Sequence, residues 1–404
     1  MSQNYNTFAL ADVVLDMHQG INTAANKVVY ADNGCSIIQS KNFTSGSLDL
    51  NDVKYLNSDD VVKYGDKYTP KIGDILFSNI GTVGKSIVVE TNSKFMFAWN
   101  VFRIQLNKDL VDAYYLKYYL DYLLSIGFYE SLFTGGTVKF INKKKFGGIQ
   151  IPLPPLPVQK QIAAVLEKAD TLRGQCQKME QELNILAQSV FLDMFGDPVT
   201  NPKGWKTEKL NNLVSICSGA TPSKSNELFW KGKFPWVSPK DMKYNYIIDS
   251  IDHVSEIVFE ETNLKRIDDN TILIVVRGMI LVHTVPIAIT KANVSINQDI
   301  KALKVVRDEV EPVYLLWCLK SQHDHILSKV STAAHGTKRL DMPDLIGLNV
   351  TIPRKEMQQK FCRLIETLDE QLRFSKAAVK SHDGLFNSLM QRAFKGELTL
   401  KDIA

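Results

Sequence analysis

The feature that most constrains the fold is a stretch with heptad spacing at residues 153–197. After a proline-rich start, about 37 residues contain no proline and one glycine, Gly174, which is typical of an uninterrupted helix. Apolar or small residues recur there at alternating steps of three and four, the pattern of a coiled-coil helix. They are Ile162, Val165, Ala169, Leu172, Cys176, Met179, Leu183, Leu186 and Val190. Because water disfavours such an apolar stripe, the pattern predicts a partner helix.

The chain supplies a candidate partner itself, at residues 352–396. Shifted by 199 residues, this stretch aligns with the first, so that Gln358 matches Gln159 and Asp369 matches Asp170. Its stripe comprises Phe361, Ile365, Leu368, Leu372, Ser375, Val379, His382, Phe386, Leu389 and Ala393. We therefore predict two long helices that pair antiparallel. Two unrelated amphipathic helices are the alternative, but they do not explain a shift that persists outside the helices.

The repeat continues through the rest of the chain, with equivalent residues 197 to 200 positions apart. The pairs are Gly20 and Gly219, Lys41 and Lys240, Ile75 and Ile272, Asn100 and Asn297, and Thr137 and Thr337. A period of this length indicates a duplicated domain rather than a solenoid. The predicted fold class is α+β, with two duplicated domains separated by two long antiparallel coiled-coil helices in a pseudo-two-fold arrangement. The boundaries are residues 1–152 and 198–351 for the domains, and 153–197 and 352–404 for the helices.

An antiparallel pair of such helices is expected to hold the two domains at opposite ends of a stiff rod. About 37 residues with a rise of 1.5 Å each give a rod of roughly 55 Å. One turn of B-DNA is roughly 34 Å long. The two domains are therefore predicted to engage duplex sites that lie about one helical turn apart.

Composition and charge limit the compartment and the partners. Hydrophobic residues make up 45% of the chain and charged residues 23%, and no apolar run is long enough to span a membrane. The start of the chain lacks the features of a signal peptide, and the five cysteines are scattered, so we expect a cytoplasmic protein without membrane contact. Residues up to Asp197 include 19 basic and 20 acidic side chains (−1), and the remainder 29 and 24 (+5). Because neither part is strongly basic as a whole, any surface that binds DNA must be a local cluster of positive charge.

A glycine-containing loop, GTVGKS at residues 81–86, is the first candidate site. A phosphate-binding P-loop would need glycine at the position of Asn79, so nucleotide hydrolysis is not predicted. The loop is interpreted as a turn that exposes Ser78, Asn79, Thr82 and Lys85 to phosphates and base edges. Its counterpart in the second half contains Arg277, and arginine is the commonest specific reader of guanine. A solvated hairpin tip remains the alternative for each of these residues.

A second candidate recurs in both halves as glycine and threonine followed by a cation. The residues are Thr137 and Lys139 in the first half, and Thr337, Lys338 and Arg339 in the second. Backbone N–H groups, a hydroxyl and a cation together are suited to the DNA backbone. Lys41 and Lys240, which follow equivalent short strands, complete the DNA-binding candidates. A merely solvated basic face is the alternative.

No residue pattern points to catalysis or to a metal. His323 and His325 lie two positions apart, without a third ligand at a suitable spacing. The sequence contains no nucleophile elbow, no glycine-rich S-adenosylmethionine motif and no convincing nuclease carboxylate cluster. We therefore predict neither a catalytic residue nor a bound cofactor on this chain.

Several segments resemble the specificity subunit of Type I restriction-modification systems, and the resemblance covers essentially the whole chain. The segments are IPLPPLPVQKQIAAVL (151–166), FLDMFGDP (191–198), SGATP (218–222), FPWV (234–237) and FKGEL (394–398). The resemblance implies two target-recognition domains that each read one half of a bipartite, asymmetric DNA site. It also implies two helices that set the gap between the halves and dock two modification (adenine methyltransferase) subunits.

The resemblance further implies a non-catalytic chain, because motor-nuclease restriction subunits join the complex and S-adenosylmethionine, ATP and Mg²⁺ belong to the partner subunits. Two other functions stay open at this stage. One is a single-chain enzyme with its own methyltransferase or nuclease activity, and the other is a coiled-coil scaffold that does not bind DNA.

Overall fold

The computed structural model of the protein describes residues 5–44, 46–333 and 336–398. The chain divides into two compact units. Unit 1 comprises Met1–Gln177 and Ala377–Ala404, and unit 2 comprises Lys178–Lys376. Each unit contains a mixed α+β domain and half of each of two long helices, α5 (Leu156–Phe195) and α10 (Lys355–Phe394). Both helices fall inside the stretches in which the heptad pattern predicts them.

Unit 1 is built from short strands followed by helices. Its strands are β1 (Thr7–Ala9), β2 (Val14–Gln19), β3 (Tyr30–Ala31), β4 (Cys35–Ile38), β5 (Lys54–Leu56), β6 (Ile75–Ser78), β7 (Ser86–Val88), β8 (Phe95–Phe97), β9 (Val101–Leu106) and β10 (Gln150–Pro152). Its shorter helices are α1 (Leu10–Val13), α2 (Ser58–Tyr64), α3 (Ala113–Ser125) and α4 (Lys143–Gly147). The sheets have the orders β2–β9–β6–β7 and β3–β5–β4–β8, and β1 pairs with β10.

Unit 2 repeats this plan with additions. Its strands are β11 (Lys206–Lys209), β12 (Val214–Ser218), β13 (Phe234–Val237), β14 (Tyr246–Ile247), β15 (Asp252–Val254), β16 (Ile272–Val275), β17 (Ile287–Thr290), β18 (Ser295–Ile296), β19 (Ile300–Val305), β20 (Ser331–Thr332), β21 (Lys338–Arg339) and β22 (Asn349–Ile352). Its shorter helices are α6 (Ile257–Glu261), α7 (Pro312–Ser321), α8 (His323–Ser328) and α9 (Met342–Ile346). The sheets have the orders β12–β19–β16–β17–β14 and β15–β13–β18, while β11 pairs with β22 and β20 with β21.

The central sheets of the two units correspond strand by strand. The order β2–β9–β6–β7 in unit 1 matches β12–β19–β16–β17 in unit 2, which adds β14. All four residues of β6 and of β16 are buried, which explains why both read as continuous apolar runs rather than as alternating patterns. Together with the long helices, these sheets give each unit the predicted α+β fold.

The repeated glycines lie where two backbones approach too closely for a side chain. A Cβ atom on Gly20 would lie 2.2 Å from the Ala98 carbonyl oxygen, and one on Gly219 would lie 2.1 Å from that of Asn297. Neither distance is compatible with a real side chain, so the close approach requires glycine in both copies.

The repeated glutamines fasten the start of each long helix to its domain. Gln159, which is 1% exposed, donates to the carbonyl oxygens of Leu110 and Pro154 at 2.9 Å each and accepts from the Asp112 N–H at 3.0 Å. Gln358 makes the same three bonds in unit 2, to Glu309, Pro353 and Glu311, at 2.9 Å each. Because buried backbone groups need partners, one amide side chain serves three of them in each copy.

The two long helices run antiparallel, since in both units an early part of one packs with a late part of the other. In unit 1, Ile162 and Leu166 of α5 share a hydrophobic core with Phe386 and Met390 of α10. In unit 2, the ring of Phe361 in α10 lies 5.4 Å from the rings of both Phe191 and Phe195 in α5. An ion pair also joins the two helices, with Lys376 Nζ of α10 lying 3.8 Å from Glu180 Oε1 of α5.

The predicted stripe on α5 needs a correction at three positions. Leu172, Met179 and Leu186 are 39%, 53% and 46% exposed, so the prediction that they lie in the helix-pairing seam is wrong. Their neighbours Arg173 and Glu180 face α10 instead: the Arg173 guanidinium lies 4.5 Å from the Phe386 ring centroid. A straight helix repeats every 3.6 residues, so a stripe extrapolated with a period of 3.5 residues gradually turns away from the partner helix. The contacts of Arg173 and Glu180 with α10 show which face of α5 is turned towards it.

The other predicted seam residues are at least half-buried. On α5, Ile162 is buried and Val165 and Leu183 are half-buried. On α10, the buried positions are Phe361, Ile365, Leu372 and Phe386, and the half-buried ones are Leu368, Val379 and Leu389. The stripe on α10 therefore has the burial that a seam requires.

Candidate functional site

In unit 1 the backbone joins the two loops that the sequence singles out. The turn between β6 and β7 meets the segment that precedes α4, because the Ile141 N–H donates to the Asn79 carbonyl oxygen at 2.9 Å. Ile80 and Phe140 form an antiparallel β-bridge beside this bond. Thr134 and Phe140 exchange two further backbone hydrogen bonds, of 2.8 and 3.0 Å, which close the turn that carries Thr137 and Lys139.

Two of the residues predicted to be displayed on this surface are buried. Ser78 is 0% exposed and Asn79 is 1% exposed. The Ser78 hydroxyl donates to the Thr82 carbonyl oxygen at 2.5 Å and accepts from the Lys85 N–H at 2.9 Å, so it closes the hairpin from inside. The prediction that Ser78 and Asn79 are exposed for DNA contact is wrong, because the tip uses these polar groups to satisfy its own backbone.

The remaining candidates in unit 1 lie on the outside of the joined loops. Thr82, Thr137 and Lys139 are exposed, and Lys85 is half-buried. Lys139 Nζ lies 5.4 Å from the centroid of the Phe133 ring, which holds its charge near the turn. The joined loops thus present hydroxyls and ammonium groups together.

Unit 2 forms the same β-bridge at the equivalent positions, between Arg277 and Arg339. The Gly278 N–H donates to the Lys338 carbonyl oxygen at 3.0 Å, and the Leu340 N–H to that of Val276 at 2.9 Å. Gly278 has a φ of 131°, a conformation that glycine adopts without strain. The bridge therefore brings together Arg277, Lys338 and Arg339, which the sequence places in two separate loops.

A further cation, Lys301, joins this group and was missed from the sequence. It lies on β19, which pairs with β16, and its Nζ donates to the Ser218 hydroxyl at 2.6 Å. Burial, and next the nearby charge of Arg277, lower the pKa of Lys301. Only the non-local register of β19 brings Lys301 close to Arg277, so no local pattern could have found it.

The other cations of these loops have partners nearby. Lys338 is half-buried and donates to the Thr332 hydroxyl at 2.8 Å, and Thr337 is also half-buried. Arg339 is exposed, and its Nε lies 2.6 Å from Asp341 Oδ1. These contacts hold both side chains beside the paired strands β20 and β21.

Lys41 and Lys240 occupy equivalent ion pairs. Lys41 Nζ lies 2.6 Å from Asp52 Oδ2, and Lys240 Nζ lies 2.7 Å from Asp252 Oδ2. In both copies the carboxylate follows the lysine after a similar interval, so the repeat preserves the pair as well as the cation. The carboxylates weaken the attraction of either lysine for a phosphate, and DNA contact by these two residues stays a prediction.

A buried carboxyl group lies where α10 packs in unit 2. Burial raises the pKa of Asp369 to about 6, although a hydrogen bond with Tyr246 and the nearby charge of Arg373 act in the opposite direction. On α7, burial lowers the pKa of Lys320 to about 8, and its ammonium donates to Asn245 Oδ1 at 2.5 Å. The stability of unit 2 should therefore depend on pH near neutrality.

Two other features are absent from residues 5–44, 46–333 and 336–398. Within these ranges, no three or more His, Cys, Asp and Glu side chains are grouped so that they could hold a metal ion. None of the helices described there combines the length and the apolar character needed to cross a membrane.

Comparison with known proteins adds a family match. The sequence profile described as Type I restriction modification DNA specificity domain matches residues 3–184 and again 202–380. The chain is 27% identical over 303 residues to the EcoR124I/EcoR124II specificity subunit of Escherichia coli, covering 73% of this chain and 72% of that protein. It is 23% identical over 412 residues to the putative MjaX specificity subunit of Methanocaldococcus jannaschii, covering 97% and 93%.

Solved structures show the same fold at low sequence identity. The crystal structure of a Type I restriction-modification S subunit from M. genitalium matches with a TM-score of 0.61 and 16% identity, covering 97% of this chain and 96% of that one. A chain from a study of complex assembly and conformational transition in the Type I system matches with a TM-score of 0.51 and 17% identity, covering 98% of each chain. These matches confirm the predicted fold class.

Proposed function

Because the chain belongs to the family of Type I restriction-modification DNA specificity proteins, we propose that each of its units reads one half of a bipartite, asymmetric DNA site. The observation that carries this proposal is the β-bridge that both units share. It joins the same two loops in each unit, yet its residues are Ile80 and Phe140 in one and Arg277 and Arg339 in the other. A common scaffold that carries different side chains is what two readers of different sequences require.

The proposal assigns the long helices two tasks, setting the gap between the half-sites and docking two modification subunits. Their antiparallel packing supports the first task, since paired helices form a stiffer spacer than a loop does. Exposed apolar residues on the helices of unit 2 support the second: Met179 and Leu186 on α5 are 53% and 46% exposed, and Phe374 on α10 is 72% exposed. Such side chains favour contact with a protein partner.

In this proposal the chain is a non-catalytic subunit that works in the cytoplasm. S-adenosylmethionine is bound by the modification subunits, and ATP and Mg²⁺ by the restriction subunits that join the complex. The sequence supports this division, since Asn79 stands where a nucleotide-binding loop would need glycine. Purified alone with S-adenosylmethionine and DNA, the chain should transfer no methyl group, and transfer would instead favour a single-chain enzyme.

A spacing series tests the bipartite reading. The target is first defined by mapping the methylated adenines in DNA from cells that carry the complete system. Duplexes with the two half-sites separated by gaps of different length are then mixed with the chain and its modification subunits, and binding is measured by gel shift at several salt concentrations. We expect one preferred gap and an affinity that falls with salt, as phosphate contacts require.

The matched control is a duplex that keeps the gap but has one half-site scrambled, which should bind as weakly as unrelated DNA. Equal binding at all gap lengths would reject the role of the helices as a spacer. Binding that ignores both half-sites would instead favour a scaffold without sequence recognition.

A further inference from the structure

The residues of the shared β-bridge differ in charge between the two units. In unit 1 the bridge carries Ile80 and Phe140, both half-buried and uncharged. In unit 2 it carries Arg277 and Arg339, both exposed. Since main-chain atoms build the bridge in both units, the fold itself does not require arginine at either position.

Arg277, Lys301, Lys338 and Arg339 lie together at the bridge of unit 2, where Asp341 forms an ion pair with Arg339. The Arg277 side chain is exposed. Lys301 lies close enough for the charge of Arg277 to lower its pKa, after the larger effect of burial. These like charges repel one another, so an acceptor-rich ligand that spans them would relieve the repulsion.

Arg339 is held in a way that suits hydrogen bonding in one plane. Its Nε lies 2.6 Å from Asp341 Oδ1, and this ion pair restrains the planar guanidinium, whose Nη groups are further donors. It lies on β21, which pairs antiparallel with β20 to form a narrow two-stranded ribbon. A ribbon of this kind fits into the major groove of B-DNA.

The chemistry of the bases then selects the ligand. Guanine presents two acceptors, O6 and N7, at the major-groove edge, and the guanidinium fork can donate to both at once. A phosphate would accept from the same groups, but a phosphate contact carries no sequence information. A ribbon that carries one arginine and is bridged to a second is suited to reading base edges.

We propose, on the basis of the function proposed above, that Arg277 and Arg339 read guanine in the half-site that unit 2 recognises. The half-site of unit 1 is read without arginine at this bridge. The two arginines are thus specificity-determining residues of one half-site only, and the two units use different chemistry on the same main-chain frame.

The test uses the full chain assembled with its modification subunits. Methylated adenines are mapped in genomic DNA for the wild type and for Arg277→Ala, Arg339→Ala and Arg277→Lys. We expect one or more guanines of a single half-site to become degenerate in each variant, with discrimination reduced roughly 5- to 150-fold at that position. The lysine variant keeps the charge but loses the planar fork, so it should weaken the guanine preference and keep its affinity for non-specific duplex.

Arg307→Ala is the matched control. Arg307 is an exposed arginine of unit 2 that follows the opposite end of β19 from Lys301 and lies 3.5 Å from Glu309. The Arg307→Ala substitution removes the same charge and should leave the recognised DNA sequence unchanged.

Three results would overturn the inference. These are an unchanged motif in both alanine variants, changes that fall in different half-sites, and a uniform loss of affinity for all duplexes, which would indicate phosphate contact instead. Normal guanine discrimination by Arg277→Lys would equally count against base reading by a guanidinium fork. Failure of the proposed function is distinguishable, because the wild-type complex would then show no sequence-dependent methylation at all.

Discussion

Replacing Gln358 with leucine should loosen the start of α10 in unit 2. The native side chain makes three hydrogen bonds of 2.9 Å, with the Glu309 and Pro353 carbonyl oxygens and with the Glu311 N–H. Leucine makes none of them, and a buried group left without a partner costs about 1–3 kcal/mol. Pro353 is buried, whereas Glu309 and Glu311 are half-buried, so in the variant their backbone groups can form hydrogen bonds with water. We therefore expect unit 2 to lose about 2–4 kcal/mol of stability.

Amide hydrogen exchange measured by mass spectrometry gives a local readout, which is useful because a chain with two units need not unfold in one step. Peptides that cover α7 and the first turns of α10 should exchange roughly 30- to 700-fold faster, the factor that corresponds to this free energy. Gln359→Leu is the matched control, because Gln359 is exposed and its bond to Glu311 Oε1 is 3.3 Å long. The control should change stability by less than about 0.5 kcal/mol.

Equal exchange rates in the two variants would refute the reasoning. That result would mean that the repeated glutamine does not fasten the long helix to its domain, and the spacing of Gln159 and Gln358 would need another explanation. Faster exchange confined to Gln358→Leu supports the fastening.

Two further predictions concern the same helix. Phe361→Ala should lower the free energy of unfolding by about 3–5 kcal/mol, because its ring is fully buried against α5. The control Phe374→Ala should lower it little, since Phe374 is 72% exposed. Thermal unfolding compares the two variants, and similar losses of stability would contradict the observed packing. Asp369→Asn should stabilise unit 2 at pH 8 by at most about 3 kcal/mol, since burial raises the pKa of Asp369 to about 6 and so disfavours its charged form in the folded state. This advantage should vanish as the pH falls from about 7 to 4, where the wild type gains stability by binding the proton, and a pH-independent difference in unfolding midpoint would argue against it.

Much of the architecture could be predicted from the sequence because helices and repeats leave local signals. The heptad spacing indicated both long helices, and the shift of 199 residues indicated two copies of one domain. The rotation of α5 could not be predicted, since it depends on contacts with α10 such as that of Arg173 with Phe386. A pattern of apolar residues cannot show that an arginine guanidinium lies over a phenylalanine ring while Leu172 faces water.

The loops were harder to predict than the helices because their contacts are non-local. The sequence identified both loops in each half, and the structure joins them through residues about 60 positions apart, such as Arg277 and Arg339. Whether a polar side chain at a tip faces outwards depends on which backbone groups it must satisfy. Ser78 turns inwards for this reason, whereas Thr82 does not.

The main-chain construction of the β-bridge has a consequence for how such a protein can change over generations. Hydrogen bonds between peptide groups are indifferent to side-chain identity, so the outward-facing positions can mutate with little effect on folding. Gly20 and Gly219 cannot be substituted in the same way, because a side chain at either position would clash with the neighbouring backbone. If each unit reads its own half-site as proposed, a new preference can arise in one copy while the other is unaltered, so a few substitutions would suffice for a new target.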